Sequence, residues 1–239
     1  MSDTTASERA LAEHVAGVAA AILTAEHEPV SPDLVVRLAG IAVPDAGHAG
    51  LTLLRGERHP VTVAASGPVP LAVDELQYAS REGPCLDAAA GPTVTLSADV
   101  GADDRWPDFG PACVRDTGVH SVLALRLPLG GTDHAALNLY AEATDAFSPA
   151  DVVTGSVLAP LAALVLEAHL RRQDVGNLRA ALESSRTIGM AVGILMANHR
   201  VGRDEAFSLL REASMALNTK VRDVAAEVTD TGTLPEVPD

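Results

Sequence analysis

The sequence predicts two parts in series: an α+β domain built on an antiparallel sheet with flanking helices, then an all-α coiled coil that ends in a three-helix unit. Three observations carry this expectation. Short alternating or β-branched runs separated by Gly and Pro turns recur between residues 49 and 141. Over residues 161–197 no proline interrupts the chain, and residues suited to a helical seam recur at alternating spacings of four and three. Residues 186–228 then compress three helical patterns and their stop signals into one short span.

A chain of 239 residues accommodates one good-sized domain and a smaller one. Hydrophobic residues make up 47% of it, yet it holds only three Phe, two Tyr and one Trp, so the core must be assembled from Ala, Val and Leu. No apolar run reaches the length of a bilayer span, and no basic flank precedes an apolar stretch at the amino terminus. Neither a membrane helix nor a secretion signal is therefore expected, and the expected location is the cytoplasm. In that reducing compartment Cys85 and Cys113 are expected as free thiols. The formal charge of -15 argues against a nucleic-acid binder until it is divided along the chain. Residues 171–222 hold nine basic and five acidic side chains, whereas residues 1–170 hold eight and 22. Only the carboxy-terminal part is electrostatically suited to a polyanion.

Residues 7–25 read as a helix with Leu11, Val15, Val18, Ala19 and Ile22 on one face, closed by Pro29 and Pro32. A helix over 33–41 leads to a strand at 49–55, a turn at 56–60 and a strand at 61–66, the two strands forming a hairpin. After a loop at 68–72, a helix at 73–81 stops at Gly83 and Pro84, and 85–90 is a short helical piece. Strands follow at 93–96, 121–127 and 135–141, the last two joined through Gly130, Gly131 and Thr132. The helix over 161–197 carries a seam through Leu164, Ala168, Arg171, Val175, Leu178, Leu182, Ser185, Gly189, Val192 and Met196. This is a coiled-coil spacing with polar interruptions at Arg171 and Ser185, so a homodimer through the 164–196 seam is expected. The plainer alternative is an amphipathic helix packed on its own domain. A seam this imperfect shifts register at little cost, which suits a rod that passes on a signal.

Within 186–228 the first helix places Ile188, Ala191, Val192, Leu195 and Met196 at helical spacings, and 198–202 supplies a break. Gly202 is the expected cap of the next helix, with Asp204 and Glu205 in its first turn and Ala206, Phe207, Leu210, Ala213 and Leu217 on its apolar face. Asn218 is a left-handed stop, and Thr219 caps a third helix that buries Val221, Val224, Ala225 and Val228. The polar, Pro-bearing tail at 229–239 is expected to be disordered. The run Ile188, Gly189, Ala191, Gly193, Ile194, Leu195, Met196, then Ala206, Phe207, Leu210, Ser214, Asn218, Lys220, Arg222, Asp223, Val224 and Ala225 closely resembles the ANTAR domain. That domain is the RNA-binding output module of bacterial transcription antitermination regulators. The resemblance implies a dimer whose last two helices contact the loops of paired RNA hairpins. Such contact needs cations for phosphate and small polar groups for base edges. The positions off the apolar face that supply them are Arg211, Ser214, Met215, Asn218, Thr219, Lys220 and Arg222. Residue chemistry alone also allows Ser214 and Asn218 to be caps and Arg211 to pair with an acidic neighbour.

A second resemblance covers roughly residues 30–170. REGPCLDA at 81–88, SADVGADDRWPDF at 97–109, GVHSVLALRLPL at 118–129 and ALNLYAEATDAFSPAD at 136–151 look like the GAF sensor domain found ahead of ANTAR in actinobacterial regulators. Arg81 departs from that pattern, standing where these sensors often have glycine. The implied organisation is an amino-terminal helix at 1–29, a sensor at 30–160, a signalling helix at 161–185, the RNA module at 186–228 and the tail. A sensor implies an unidentified small-molecule ligand, and the candidate walls of its cavity are Cys85, Asp87, Arg105, Trp106, Asn138 and Tyr140. The alternative has Trp106 capping the sheet and Arg105 paired with an Asp.

The eight histidines form no local ligand pair, so no metal and no cofactor are expected. No phosphate-cradling glycine loop, GxSxG turn or paired carboxylate signature is present, and the protein is expected not to be an enzyme. Two other readings stay open on sequence grounds. The three-helix end could present a recognition helix to a DNA major groove, and Cys85 could be a nucleophile as in the GAF-fold enzymes that reduce methionine sulfoxide.

Overall fold

The computed structural model describes residues 31–55, 60–91, 93–131 and 133–235. The helix expected at 7–25, the turn at 56–59, Thr132 and the tail residues 236–239 lie outside the described residues. The chain divides into two compact units, Met1–Leu170 and Arg171–Asp239.

In the first unit, helix α1 (Pro32–Ala42) opens with proline at its first position, where the missing amide has no helical acceptor anyway, and Ser31 accepts from the Leu34 amide at 3.4 Å. Strands β1 (His48–Arg55) and β2 (Val61–Ala65) follow, then helices α2 (Pro68–Ser80) and α3 (Pro84–Ala90). Strand β3 (Val94–Ser97), a 3-10 turn at Val100–Ala102, helix α4 (Phe109–Thr117) and strands β4 (Ser121–Leu127) and β5 (Asp133–Ala141) complete it. The strands form one antiparallel sheet in the order β2-β1-β5-β4-β3. The expected loop at 68–72 is instead the first turn of α2, because Pro68 and Pro70 occupy positions whose amides would lack helical partners. Helix α4 was not anticipated. It buries Phe109, Gly110 and Cys113 on one short face and stops at Gly118, whose φ of 73° is the left-handed conformation glycine adopts without strain.

The period-two alternation of the strands separates two chemically different faces. One face carries Leu51, Leu53, Leu123, Leu125, Leu137 and Leu139, and packs on α1 through Val36 and Ala39. It is also covered by Leu158, Ala159, Ala162, Ala163 and Leu166 of helix α5 (Pro149–His199). The other face carries Thr52, Ala124, Ala136, Asn138 and Tyr140, all buried against α2, α3 and α4. Helix α5 starts before the expected residue 161 and runs through Pro160. Proline inside a helix costs roughly 3 kcal/mol, but Pro160 points to solvent while its neighbours Leu158, Ala159, Ala162 and Ala163 hold the backbone on the sheet. At Gly155 the helix approaches so closely that a Cβ would lie 2.6 Å from Leu125 Cδ1. By length and composition α5 is long and apolar enough to cross a membrane, where the sequence reading expected no such helix, and 33% of the qualifying window is buried. Its sheet-packed residues are the reason for that burial.

In the second unit, α5 ends at His199, Arg200 turns left-handed at φ 56°, and helix α6 (Arg203–Ala216) starts behind the extended cap Gly202. Helix α7 (Val221–Thr231) closes the unit. Ala191, Val192 and Leu195 of α5 share one core with Ala206, Leu210 and Ala213 of α6 and Val224, Ala225 and Val228 of α7. Two expectations change. Phe207 is 40% exposed and outside that core, because Ala206, Leu210 and Ala213 recur at spacings of four and three on the buried face and position 207 is turned about 100° away from it. Helix α7 also runs past Val228 to Thr231, where Gly232 at φ 80° ends it and its carbonyl accepts from Asn198 Nδ2 at 2.7 Å.

Candidate nucleic-acid interface and sensor cluster

The turn between α6 and α7 is built by its own polar groups. Asn218 takes the left-handed conformation at φ 50°, as expected of a stop residue. The chain then folds back: the Thr219 amide donates to the Ser214 carbonyl at 3.0 Å, and Ser214 Oγ donates to the Thr219 carbonyl at 2.5 Å. Thr219 Oγ1 donates to the Leu217 carbonyl at 3.2 Å, so both hydroxyl hydrogens are committed inside the turn and only lone pairs face outward. The cap of α7 is Lys220, not the expected Thr219, because the left-handed residue delays helical entry by one position. Lys220 is extended at φ -64° and ψ 140°, and its carbonyl accepts from the Asp223 and Val224 amides.

Arg211, Met215, Asn218, Thr219, Lys220 and Arg222 are exposed around this turn, and Ser214 is half-buried beneath it. No ion pair engages Arg211 or Lys220 among the described residues, whereas Arg222 Nε lies 3.3 Å from Asp223 Oδ1. Such an exposed pair contributes little to folding. Lys220 and Arg222 stand at the positive end of the α7 dipole, where a cation is electrostatically disfavoured and a bound anion is favoured.

The six candidate pocket residues divide into two groups. Cys85, Asn138 and Tyr140 are fully buried and gather around Asp74, which the sequence reading missed. Asp74 Oδ2 accepts from Thr52 Oγ1 at 2.9 Å and Thr62 Oγ1 at 2.6 Å, while Oδ1 accepts from Tyr140 Oη at 3.0 Å and Gln77 Nε2 at 3.3 Å. A register shift in the β1–β2 pairing sets Thr62 opposite Thr52, so that both hydroxyls reach one oxygen. Asn138 Nδ2 donates to Thr52 Oγ1 at 3.1 Å, and Gln77 Oε1 accepts from the Cys85 amide at 2.9 Å. Gly83, at φ 134°, permits this corner, because the Gln77 side chain fills the place a Cβ would take. Asn138 Oδ1 is buried without a hydrogen-bond partner among the described residues. The signal for Asp74 was present in the sequence. Pro70, Val73, Asp74 and Gln77 fall at helical spacings on one face, which marks a carboxylate and an amide on a buried stripe.

Burial pushes the Asp74 carboxyl above its usual range, and the hydrogen bonds from Thr62, Thr52 and Tyr140 only partly offset this. Burial, and then the Asp74 charge, push the Cys85 thiol up to about 12 and raise the Tyr140 hydroxyl as well. Cys113 is pushed up to about 11 by its own burial, and it belongs to a different cluster, with Sγ beside Thr117 Oγ1 and the Val119 carbonyl. Neither sulfur is a thiolate at neutral pH.

In the second group, Asp87 and Arg105 are exposed and Trp106 is buried between them and the sheet. Trp106 is buried with Val73, Phe109, Cys113 and Tyr140, and its Nε1 donates to the exposed Asp87 Oδ2 at 3.0 Å. Arg105 stacks on the indole at 4.2 Å and forks onto Asp103, with Nη2 2.6 Å from Oδ2. That fork pulls the Asp103 carboxyl down to about 2. Here the alternative reading describes the geometry: Trp106 packs as core and Arg105 pairs with an Asp. Arg81 is exposed at the end of α2 and left-handed at φ 60°, so glycine is suited to this position for conformational reasons.

The sequence pattern of the GAF domain matches residues 32–167, and that of the ANTAR domain matches residues 176–228. No curated relative matches the chain. Among solved structures, the GAF domain of a phosphoenolpyruvate-protein phosphotransferase from Coxiella burnetii is similar at 16% identity, covering 71% of this chain and 96% of that one with a TM-score of 0.49. The corresponding GAF domain from Acinetobacter has 17% identity, coverage of 72% and 97%, and a TM-score of 0.48. A free methionine-R-sulfoxide reductase from Neisseria meningitidis, in complex with its substrate, has 17% identity, coverage of 70% and 91%, and a TM-score of 0.48. With a GAF domain leading directly into an ANTAR domain, the chain belongs to the GAF-ANTAR family of RNA-binding transcription antitermination regulators.

Proposed function

We propose that this regulator acts in the cytoplasm as a homodimer that binds paired hairpins in nascent RNA, with the sensor at 30–160 governing the module at 186–228 through the helix between them. The observation that supports this reading best is the α6–α7 turn: exposed, cationic, and closed by its own hydrogen bonds so that its shape is set before RNA arrives. Arg211, Lys220 and Arg222 take phosphate oxygens, and the Asn218 amide reads a base edge in an unpaired loop. Met215, 66% exposed, offers an apolar surface to an unstacked base. Ser214 and Thr219 hold the turn and contribute acceptor lone pairs.

The dimeric reading is supported by α5, where Val175, Leu178 and Leu182 are 49%, 62% and 63% exposed at coiled-coil spacing. The sensor has no catalytic role in this reading, since a thiol raised to about 12 and fully buried is no nucleophile. Its ligand would be a small polar molecule that donates to Asn138 Oδ1, the unpartnered acceptor on the polar face of the sheet. A gel-shift comparison tests the nucleic-acid reading. Twin-hairpin RNA should be retained by the intact protein, duplex DNA of equal length should not, and Lys220→Ala with Arg222→Ala should abolish the difference. Equal retention of RNA and DNA would reverse the assignment.

A further inference from the structure

The second unit has a groove of about 550 Å³ between the last turns of α5 and the start of α6. Gly189 and Gly193 bare the α5 backbone along it, with nothing within 4 Å of a Cβ built at either position. Met196 and Phe207 form apolar walls, 37% and 40% exposed, and Arg203 and Asp204 stand at its edge. Phe207 is the only aromatic residue after Phe147, and it lies outside the core of its own unit. A ring of this size stabilises an interface when it is buried, and here 40% of Phe207 is left in solvent.

We propose that this groove seats a second copy of the chain, with the Phe207 ring of each copy lying on the backbone bared by Gly189 and Gly193 of the other. The inference rests on the dimeric reading above and extends it from the rod into the RNA module. Two observations select this occupant. First, the exposed residues Val175, Leu178 and Leu182 continue at spacings of three and four into Ser185, Gly189, Val192 and Met196, all of which line the groove. A helix laid on the first set therefore enters the groove. Second, a two-fold interface must be self-complementary, and Arg203 beside Asp204 is one cation next to one anion, so each meets the other's counterpart across the axis. RNA fits the groove poorly, because Asp204 and Glu205 place two carboxylates in the first turn of α6. Joining the modules here also holds the two α6–α7 turns of a dimer in one geometry, which a pair of hairpins requires.

Sedimentation of the intact protein over a range of concentrations tests the seat. Gly193→Gln fills the groove while favouring the helix, so it should raise the dimer dissociation constant at least tenfold with unchanged circular dichroism. Phe207→Gln should weaken dimerisation similarly. Arg203→Asp and Asp204→Arg should each weaken it, and an equimolar mixture of those two variants should recover it. If wild type and Gly193→Gln dimerise equally while Leu178→Glu with Leu182→Glu is monomeric, the rod alone is the interface and the seat is wrong. Loss of twin-hairpin RNA binding by Gly193→Gln with dimerisation intact would make the groove an RNA site and overturn the proposal. A monomeric wild type would remove the dimeric reading itself.

Discussion

Asp74 accepts four side-chain hydrogen bonds in a place almost without solvent, so its environment both needs the carboxylate and penalises its charge. Asp74→Ala strands those donors and should cost about 3 kcal/mol by urea denaturation. Asp74→Asn keeps the shape, and comparing it with wild type isolates the charge. A carboxyl raised in the folded state binds its proton more readily folded than unfolded. The penalty is therefore fully present above the folded pKa and is relieved as pH falls through it toward the unfolded value. Wild type should gain stability relative to Asp74→Asn on acidification from pH 7 toward 4, and a constant difference would contradict the assignment. The thiols give a second prediction. Cys85 and Cys113 should resist an aromatic disulfide reagent at pH 7 and react only on unfolding, and Cys85→Ser should cost about 1 kcal/mol. Methionine sulfoxide turnover abolished by Cys85→Ser would place the protein among the enzymes instead.

Helix α5 uses glycine in two different ways, and substitutions should separate them. At Gly155 an added methyl meets Leu125 of the sheet, so Gly155→Ala should destabilise by about 2 kcal/mol despite its better helix propensity. At Gly176 nothing lies within 4 Å, and Gly176→Ala should stabilise by about 0.5–1 kcal/mol. Thermal unfolding of both variants decides between close packing and simple propensity. The same helix illustrates which boundaries the sequence could not locate. Its apolar period was legible from 161 onward, but Pro160 disguised the preceding turns, because proline signals a helix end unless packing on a sheet overrides it. Helix α4 escaped for a related reason: nine residues containing Gly110 and Pro111 carry little helical propensity and are held by the Trp106 cluster.

Across the whole molecule the basic side chains are concentrated at 171–222, nine against five acidic, whereas residues 1–170 hold eight against 22. Lys220→Ala with Arg222→Ala should weaken twin-hairpin RNA binding and lower its log-log salt slope by up to about two, near 0.7 per lost contact on a single strand. Arg222 begins paired to Asp223, so Asp223→Asn should strengthen binding by freeing it. Arg115→Ala, in the sensor and paired with Asp116, should change neither affinity nor slope. Filter binding between about 50 and 300 mM salt, roughly a sixfold range of ionic strength, checks all three. Leu178→Glu with Leu182→Glu should yield monomers by light scattering and lose the preference for two hairpins over one.

Periodicity and punctuation determined by themselves that a sheet-bearing domain precedes three helices, where most strands lie, and that Asn218 stops a helix. These are local properties, written in neighbouring residues. The tertiary structure alone decided which polar residues meet. Asp74 draws Thr52, Thr62, Gln77 and Tyr140 from β1, β2, α2 and β5, and no spacing along the chain encodes a convergence made by sheet pairing. It also decided that Trp106 packs in one core with Tyr140, and that Phe207 lies outside the core its spacing suggested. The reason is common to both: hydrophobic pattern specifies how much apolar surface an element has to bury, whereas the shape and spacing of its neighbours determine which side chain is accommodated.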